Sequence, residues 1–587
     1  MADRQIKISV RNFVEFMLRS GDIDNRRHVS SENAMAEGGR IHRMIQRRMG
    51  SEYEAEVFLK YEEETPKYKL VIDGRADGII TIQKPVPDKI GIKNSIDLLQ
   101  HNGMNVENSG SDVDYDKDRK REERVQQYLQ EHVTIDEIKG TYRDLEKIKN
   151  PEPVHLAQAK VYAYIYGKKR ELETICVRMT YCNMDTEELK YFIEEYTLKE
   201  LEEWFLELVE GYKKWAQFQR DWREKRQNSI KKMCFPYIYR KGQKELAAGV
   251  YRTIYHKRKL FLEAPTGVGK TLSTVFPSVK ALGEELGERI FYLTAKTITR
   301  TAAEQAFDLL REKGLAFKTV VLTAKEKVCF MEECNCNPVD CPYAKGHFDR
   351  INNAIFELIT SEDRFSRERI EAYSRKHQVC PFELALDCSL FADGIIGDYN
   401  YLFDPHVYLK RFFTEGVRED YIFLIDEAHN LVERAREMYS AVLYKEDFLA
   451  IKRVLKNYSK RMTGLLDRCN KILLEYKREC VNYTLHKNTG NLLLILQTLV
   501  TEIEMFLLKP SIMREWRGEF AEKPFDFGGR KELLDFYYGI SHFVRISALV
   551  DEHYEIYSEV QEDGRFMLKL FCVDPSQNLQ TCINQGV

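Results

Sequence analysis

A multidomain α/β protein is predicted by three features of this sequence. The chain has 587 residues, which is more than one ordinary domain contains. Before about residue 185, short β-like runs alternate with helical segments, which predicts one α/β domain. From about residue 235, strand-length apolar runs are each followed by a helical segment. This second pattern predicts a parallel sheet with helices on both faces.

The composition favours a folded intracellular protein. Apolar residues make up 43% of the chain, and 90 Lys+Arg nearly balance 93 Asp+Glu. Because the positive and negative charges nearly cancel over the whole chain, any contact with a nucleic acid must come from local basic patches. The N-terminus lacks a signal-peptide pattern, and the apolar run at Leu492–Val500 is too short to cross a bilayer. We expect a soluble cytoplasmic protein in which clustered cysteines, among 13 in total, bind metal.

The first domain is predicted from four elements. Tyr68–Ile82 is predicted as a hairpin and Val133–Tyr142 as a strand. Val154–Gly167 is predicted as a helix, and the TICVRMTYC run after it as a further strand. The polar segment 84–132 is predicted to be a flexible insertion.

The second half is predicted to be a sheet domain with insertions. RKLFLEA, RIFYLTA and YIFLIDE are its clearest strands, and Met567–Asp574 is interpreted as a strand that returns to the same sheet. The predicted segments are 1–185 (first domain), 186–232 (helical connector), 233–322 (sheet domain), 323–392 (cysteine-rich insertion), 393–430 (sheet domain), 431–560 (helical domain) and 561–587 (returning strand).

A phosphate-binding loop follows the run LFLE and begins a helix. Its residues are Ala264, Pro265, Thr266, Gly267, Val268, Gly269, Lys270 and Thr271. The two glycines let backbone N–H groups surround phosphate, Lys270 reaches the terminal phosphates, and Thr271 binds magnesium. By itself, a Gly-Lys-Thr loop can also be an ordinary turn.

An acidic pair follows the apolar run YIFLI. Asp426 is expected to bind magnesium through its hydration shell, and Glu427 to polarise the attacking water. An Asp-Glu dipeptide is common. The correct order of both motifs, each after a buried strand, predicts an ATP site.

These motifs resemble the first motor lobe of a superfamily-two DNA helicase. Tyr292–Arg300 is similar to the segment that contacts single-stranded DNA in that family. Phe235–Gln243 is similar to the motif that recognises adenine. The resemblance implies that Gln243, with Arg240 nearby, contacts the base. A solvated helix residue is the alternative interpretation of Gln243.

Five cysteines, four of them close together and the fifth after a predicted helical segment, compete for four positions at a metal centre, and the spacing alone does not separate zinc from iron–sulfur. They are Cys329, Cys334, Cys336, Cys341 and Cys380. Buried cysteines without metal are the alternative.

The position of this insertion resembles the XPD/DinG helicase family, which carries a 4Fe–4S cluster there. The resemblance implies Cys329, Cys336, Cys341 and Cys380 as ligands, with Cys334 and Cys388 excluded. The cluster would stiffen a wedge where DNA strands part. The tyrosines of Asp398–Pro405 either stack on bases or anchor an ordinary loop.

The first domain contains a second set of catalytic residue types. Asp77 lies in GRAD, and Glu137 and Lys139 lie on the same face of the next predicted strand. Two carboxylates and a lysine can bind Mg²⁺ or Mn²⁺ and activate water against a phosphodiester. His42 is a further possible ligand. Each of these pieces also occurs on ordinary solvated surfaces.

Together these pieces resemble a RecB-like PD-(D/E)XK nuclease: His, GxxD, ExK, then QxxxY. The last motif corresponds to Gln158 and Tyr162, which share a helix face. The insertion before Glu137 is long for this family. The four cysteines that flank the nuclease domain in one subgroup of this family are missing.

The leading interpretation is a 5′–3′ DNA helicase fused to a nuclease, acting in repair or replication on single-stranded or forked DNA. We find no second-lobe motifs after the DEAH sequence that begins at Asp426. Segment 431–560 fits the helical arch of the family. We therefore expect a truncated chain that binds ATP, hydrolyses it slowly and does not unwind DNA. The alternatives are a DNA-binding module with an inactive nuclease fold and a zinc-stabilised assembly protein.

Overall fold

The computed structural model describes residues 5–24, 33–85, 129–142, 144–184, 186–265, 267–295, 297–413, 419–507 and 530–586. The chain divides into two compact units. Unit 1 contains Met1–Arg19 and Ser30–Asp221, and unit 2 contains Ser20–Val29 and Trp222–Val587. In the described part of the chain, no helix is long and apolar enough to span a membrane.

Unit 1 is built on a six-stranded mixed sheet in the order β1-β3-β4-β5-β6, with β2 also paired to β3. Its elements are β1 (Gln5–Ser9), α1 (Val10–Leu18), α2 (Asn33–Arg48), β2 (Tyr53–Glu64), β3 (Lys69–Pro85), β4 (Leu129–Thr141), α3 (Pro153–Arg170), β5 (Thr174–Asn183), β6 (Leu189–Thr197) and α4 (Leu198–Lys232), which continues into unit 2.

The predicted hairpin at Tyr68–Ile82 is wrong, because β3 is one continuous strand. Its glycines mark close approaches rather than a turn. A Cβ atom at Gly74 would lie 2.5 Å from the Tyr162 hydroxyl, and one at Gly78 would lie 1.9 Å from the Tyr53 ring. Only glycine leaves room for these two tyrosines over the strand.

Two other boundaries in unit 1 also need correction. The predicted connector 186–232 begins with a strand, because β6 pairs antiparallel with β5 and extends the sheet. The predicted insertion 84–132 is shorter at both ends, because β3 continues to Pro85 and β4 begins at Leu129. Most of that insertion lies outside the described residues.

Unit 2 contains a five-stranded parallel sheet in the order β11-β7-β10-β8-β9 and a four-stranded antiparallel sheet in the order β12-β15-β14-β13. The strands are β7 (Arg289–Leu293), β8 (Thr319–Val321), β9 (Arg364–Phe365), β10 (Gly394–Gly397), β11 (Tyr421–Ile425), β12 (Ala441–Tyr444), β13 (Tyr483–His486), β14 (Tyr554–Val560) and β15 (Phe566–Cys572).

The helices of unit 2 pack around these two sheets. They are α5 (Gln243–Tyr255), α6 (Lys270–Gly283), α7 (Thr297–Glu312), α8 (Lys325–Val328), α9 (His347–Ser361), α10 (Arg367–His377), α11 (Pro381–Cys388), α12 (Asn400–Phe403), α13 (Lys410–Phe413), α14 (Leu431–Met438), α15 (Lys445–Leu455), α16 (Lys460–Glu479), α17 (Leu492–Leu507), α18 (Arg530–Ser547) and α19 (Ser576–Ile583).

Two strand predictions in unit 2 are wrong in different ways. The RKLFLEA segment is not a strand, and its apolar residues are exposed, with Phe261 at 89% and Leu260 and Leu262 at 44%. Met567–Asp574 overlaps β15, but β15 pairs with β12 and β14 in the second sheet instead of returning to the first. Apolar patterning predicts that a segment can form a strand, whereas its partner depends on tertiary contacts.

Candidate nucleotide and metal sites

The acidic end of β11 is held by two buried tyrosines. The Tyr292 hydroxyl donates to Asp426 Oδ2 at 2.7 Å, and the Asp426 amide donates to the Leu293 carbonyl at 2.9 Å. The Tyr399 hydroxyl donates to the carbonyls of Asp426 and Glu427. Glu427 has a left-handed backbone with φ 55°, a strained conformation that is common at functional sites. The Asp426 carboxylate and the backbone of both acidic residues are thereby fixed at the carboxyl end of β11, an edge strand of the described sheet.

The phosphate-binding loop has the backbone that its glycines predict. Gly267 and Gly269 have positive φ values of 83° and 75°, and Lys270 is the first residue of α6. A helix N-terminus preceded by glycines presents free N–H groups to an anion. Thr266, which was also predicted to bind nucleotide, lies outside the described residues.

Tyr292 brings the loop and the acidic pair together. Its hydroxyl donates to Asp426, and it also interacts electrostatically with Thr271 at the start of α6. Burial, followed by the hydrogen bond and charge of Asp426, raises the pKa of Tyr292 above its ordinary value. The tyrosine is therefore neutral, and its hydroxyl donates a hydrogen bond to Asp426. The two residues predicted to hold magnesium thus share one side chain as a neighbour.

The glutamine predicted to contact adenine packs against the phosphate-binding loop. Gln243 is 7% exposed, and its amide donates to the Val268 carbonyl at 3.2 Å. Arg240 donates to the Gly267 carbonyl. The alternative of a solvated helix residue is therefore wrong for Gln243. Both side chains couple the upstream motif to the loop.

The tyrosines of Asp398–Pro405 are core residues. Tyr399 is fully buried and Tyr401 is 6% exposed, so the interpretation as a loop anchored by aromatic packing is confirmed over base stacking. Asp398 accepts from Arg300 at 3.2 Å. This pair connects the loop to the segment that resembles a DNA-contacting motif.

The four cysteines chosen as metal ligands line one pocket. Cys329, Cys336, Cys341 and Cys380 share it with Lys325 and with apolar side chains, whereas Cys334 and Cys388 do not line it. Burial raises the pKa of the Cys380 thiol to about 12. Lys325 provides a positive charge that interacts with Cys336 and Cys380. The four thiols that line this pocket are the ligand type of an iron–sulfur cluster or of zinc.

A short segment from the N-terminal part of the chain closes this pocket, and sequence reasoning missed it. Ile23 lines the pocket, and its amide donates to the Ala344 carbonyl at 3.0 Å. Asp22 accepts from the Gly346 amide at 2.6 Å, and the Gly21 amide donates to Asp349 at 2.8 Å. These partners are more than 300 residues apart in the chain, so no local pattern could have indicated them.

In unit 1, the predicted acidic residues converge at β3 and β4. Asp77 accepts from the Ile138 amide at 2.7 Å, and its other oxygen lies 3.3 Å from His42 Nδ1. Burial by itself lowers the pKa of His42, but the hydrogen bond and charge of Asp77 raise it above the ordinary value. The Asp77 carboxylate therefore orients the His42 side chain, as expected at a polar site.

Glu137 is buried at the centre of this site. Its side chain is 1% exposed, one oxygen accepts from Lys139 at 2.7 Å, and Oε2 has no hydrogen-bond partner in the described part of the chain. Burial and the negative charge of Asp77 raise the pKa of Glu137 to about 8. Lys139 also donates to Gln158 at 3.4 Å, and Gln158 interacts electrostatically with the buried Tyr162. All six predicted residues thus belong to one connected site.

Glu56 is a member of this site that sequence reasoning missed. Its carboxylate lies with His42 and Asp77 in a group of ligand atoms that are within 4.8 Å of one another. Glu56 has a left-handed backbone with φ 56° on β2. Gln46 contacts both sides of this group, because its amide donates to Glu56 and to the Asp77 carbonyl. The motif pattern specifies no residue between His42 and Asp77, so it gave no signal for Gln46 or Glu56.

The residues present fit a divalent cation. His42, Glu56, Asp77 and Glu137 offer one imidazole and three carboxylates, a donor set that manganese and magnesium accept. The unsatisfied, buried Oε2 of Glu137 is costly without a positive partner. A cation at this position would remove that cost.

The comparisons with known proteins bear on the second unit. Residues 304–448 match the DEAD_2 family model. This match lies within unit 2 and shows similarity to the DEAD_2 family over those residues.

Two relatives illustrate this similarity. A helicase subunit XPD of the general transcription and DNA repair factor IIH from Arabidopsis thaliana is 25% identical over 237 residues, which cover 34% of this chain and 30% of the relative. A probable ATP-dependent helicase from Methanocaldococcus jannaschii is 27% identical over 215 residues, which cover 36% and 32%.

The chain thus spans about a third of the length of these curated relatives. A solved structure named "Truncated XPD" is 19% identical and covers 58% of this chain and 90% of its own, with a TM-score of 0.38.

Proposed function

We propose that this chain carries the nucleotide-binding part of an ATP-dependent DNA helicase, joined to a metal-dependent DNA nuclease in unit 1. The helicase assignment is supported by Tyr292, which donates to Asp426 of the acidic pair and interacts with Thr271 of the phosphate-binding loop. The similarity to DEAD_2 helicases supports it. Movement along single-stranded or forked DNA in the 5′–3′ direction belongs to this proposal.

The ATP chemistry follows from the positions of four side chains. Lys270 would bind the terminal phosphates, and Thr271 and Asp426 would hold magnesium, which neutralises phosphate charge when bound. Glu427 would orient the attacking water. Gln243 and Arg240 would couple recognition of the base to the loop whose carbonyls they contact.

Substitution of the loop lysine tests the nucleotide site. We expect Lys270→Ala to reduce ATP binding at least tenfold in isothermal titration, because a charge-assisted phosphate contact is lost. Lys244→Ala, on the exposed side of the neighbouring α5, is the control and should bind ATP normally. Equal binding by both variants would remove the basis for the helicase proposal.

We further propose that Cys329, Cys336, Cys341 and Cys380 hold a 4Fe–4S cluster. Their shared pocket supports this. Iron and zinc analysis of anaerobically purified protein, together with its visible absorption, tests it. Cys336→Ser should lose iron and visible absorbance, whereas Cys334→Ser should keep both. Zinc in place of iron, or loss of the cluster only in Cys334→Ser, would overturn the assignment.

The nuclease proposal is carried by the buried Glu137 between Asp77 and Lys139. The carboxylates and His42 would hold Mg²⁺ or Mn²⁺, which when bound polarises the scissile phosphate and lowers the pKa of a bound water. Lys139 would stabilise negative charge on the phosphate. Gln158 accepts from Lys139 and fixes the direction of its ammonium group.

Cleavage of single-stranded DNA in the presence of Mn²⁺ tests this site. We expect Glu137→Gln and Lys139→Ala to reduce the rate at least about 100-fold, since each removes a charge at the reacting phosphate. Glu146→Gln, at an exposed position of the same unit, should be fully active. DNA binding without any cleavage by the unaltered chain would instead identify unit 1 as a DNA-binding module.

A further inference from the structure

Three side chains with metal-binding atoms lie together on the sheet of unit 1, away from the acidic site. They are His132 on β4, Cys176 on β5 and Glu195 on β6. The Cys176 sulfur is 3.3 Å from His132 Nε2. The imidazole nitrogen, the thiol sulfur and a carboxylate oxygen all lie within 4.8 Å of one another.

The strand register holds these three donors on one face. Cys176 is directly opposite Glu195 on one side and opposite Thr134 on the other. His132 precedes Thr134 by two residues and therefore points to the same face. Three adjacent, hydrogen-bonded strands form a rigid base. Their donor atoms need little rearrangement to meet at one point.

This cluster is separate from the proposed nuclease site. His132 precedes Glu137 by five positions on β4, which corresponds to about 16 Å along a strand. Glu137 also has the opposite parity along β4, so its side chain points to the other face of the sheet. The two groups therefore cannot share an ion.

The donor types and their spacing correspond to zinc. Zinc binds imidazole nitrogen at about 2.0–2.1 Å, thiolate at about 2.3 Å and carboxylate oxygen at about 2.0–2.2 Å in a tetrahedral arrangement. Those lengths place neighbouring nitrogen and sulfur ligands about 3.5 Å apart, close to the observed 3.3 Å. Glu195 is exposed, so an ion can enter from the solvent side.

We propose that His132, Cys176 and Glu195 bind one zinc ion, with water as the fourth ligand. The Cys176 thiol releases its proton to solvent as the sulfur–zinc bond forms. Bound zinc would fasten β4, β5 and β6 together at this end of the sheet. A simple thiol–imidazole hydrogen bond is the competing explanation of the short contact.

Metal titration of the full-length chain separates these explanations. The probes are Zn²⁺, measured as bound equivalents after dialysis, and Co²⁺, whose thiolate charge-transfer absorption reports a cysteine ligand. Cys176→Ser and His132→Ala should each lose one zinc equivalent and that part of the cobalt spectrum. Glu195→Gln should weaken zinc binding about tenfold or more. Because the Glu195 side chain is exposed, misfolding would not explain weaker zinc binding by Glu195→Gln.

Cys182→Ser is the matched control, because Cys182 is a buried cysteine on the same strand. It should retain the zinc equivalent and the cobalt absorption. The cysteine pocket of unit 2 is unchanged in every variant, so its metal content cancels in the comparison. Unchanged zinc stoichiometry in the three ligand variants, or the same loss in Cys182→Ser, would overturn the proposal.

Discussion

The acidic site of unit 1 and the nucleotide site of unit 2 differ in how completely the fold assembles them. In unit 1, strands β2, β3 and β4 are hydrogen-bonded neighbours, and the β3–β4 ladder ends at Gly78 and Asp136, one residue from Asp77 and Glu137. The carboxylate of Glu56 on β2 lies close to that of Asp77. In unit 2, the acidic pair at β11 is equally well held, but the segment before the phosphate-binding loop lies outside the sheet. Phe261 in that segment is 89% exposed.

The difference shows that a sheet and a loop position the residues of a site by different means. A paired strand determines both the position and the face of each side chain. The loop at Gly267 and Gly269 relies on local φ values and on contacts from Arg240 and Gln243. Unit 1 should therefore respond to changes in packing, and the nucleotide site to changes in backbone and hydrogen bonding.

The largest expected effect comes from two matched glycine substitutions. Gly78→Ala should destabilise unit 1 by about 2 kcal/mol, because the new Cβ displaces the Tyr53 ring and its hydrogen bond to Asp136. Gly267→Ala meets no atom within 4 Å and should cost only about 1 kcal/mol, from its positive φ. Hydrogen exchange resolved by unit measures both. The reverse order would contradict the comparison.

An intermediate effect is expected at the tyrosine that joins the two halves of the nucleotide site. Tyr292→Phe removes the hydrogen bond to Asp426 and should weaken binding of magnesium–ATP about fivefold, since one such bond contributes about 1 kcal/mol. Tyr255→Phe, at an exposed position, is the control for titration calorimetry. Unaltered affinity in Tyr292→Phe would show that the loop is positioned without the acidic pair.

The dependence of stability on pH should distinguish the two units when chelator removes divalent metal. The pKa of Glu137 is raised from 4.5 to about 8 in the folded unit. Between about pH 4.5 and 8, the folded state therefore binds more protons than the unfolded state. The free energy of unfolding falls as the pH rises through this range.

Thermal unfolding of unit 1 at several pH values measures this loss. Glu137→Gln should flatten the profile, because the substituted side chain does not titrate. Added Mn²⁺ should restore stability most at the alkaline end. If the unaltered chain and Glu137→Gln have the same dependence of stability on pH, the pKa of Glu137 is not raised in the metal-free site.

The smallest expected effect is at the exposed segment before the loop. Phe261→Ser should change the free energy of unfolding of unit 2 by less than about 0.5 kcal/mol, because the side chain has almost no packing to lose. Phe291→Ser, in a fully buried side chain of β7, should be severely destabilising by comparison. A large loss of stability in Phe261→Ser would show that this segment packs inside the sheet. The two sites would then no longer differ in this respect.

The sequence predicted the elements whose patterns are local. The strands at RIFYLTA, YIFLIDE, Val133–Tyr142 and TICVRMTYC, and the helix at Val154–Gly167, are confirmed within a few residues as β7, β11, β4, β5 and α3. Its motif residues also converge as expected at the cysteine pocket and at the acidic site. Spacing within a motif specifies which side chains share a strand or helix face, and that relation needs no knowledge of distant residues.

Only the tertiary structure decided which strands pair and which remote residues complete each site. It placed β15 in a second sheet, left RKLFLEA outside the first, and showed that Gly74 and Gly78 make room for tyrosines. It also brought Glu56 beside Asp77 and Ile23 against the cysteine pocket. Strand partners and pocket walls depend on contacts between residues far apart in the chain, and local composition carries no record of those contacts.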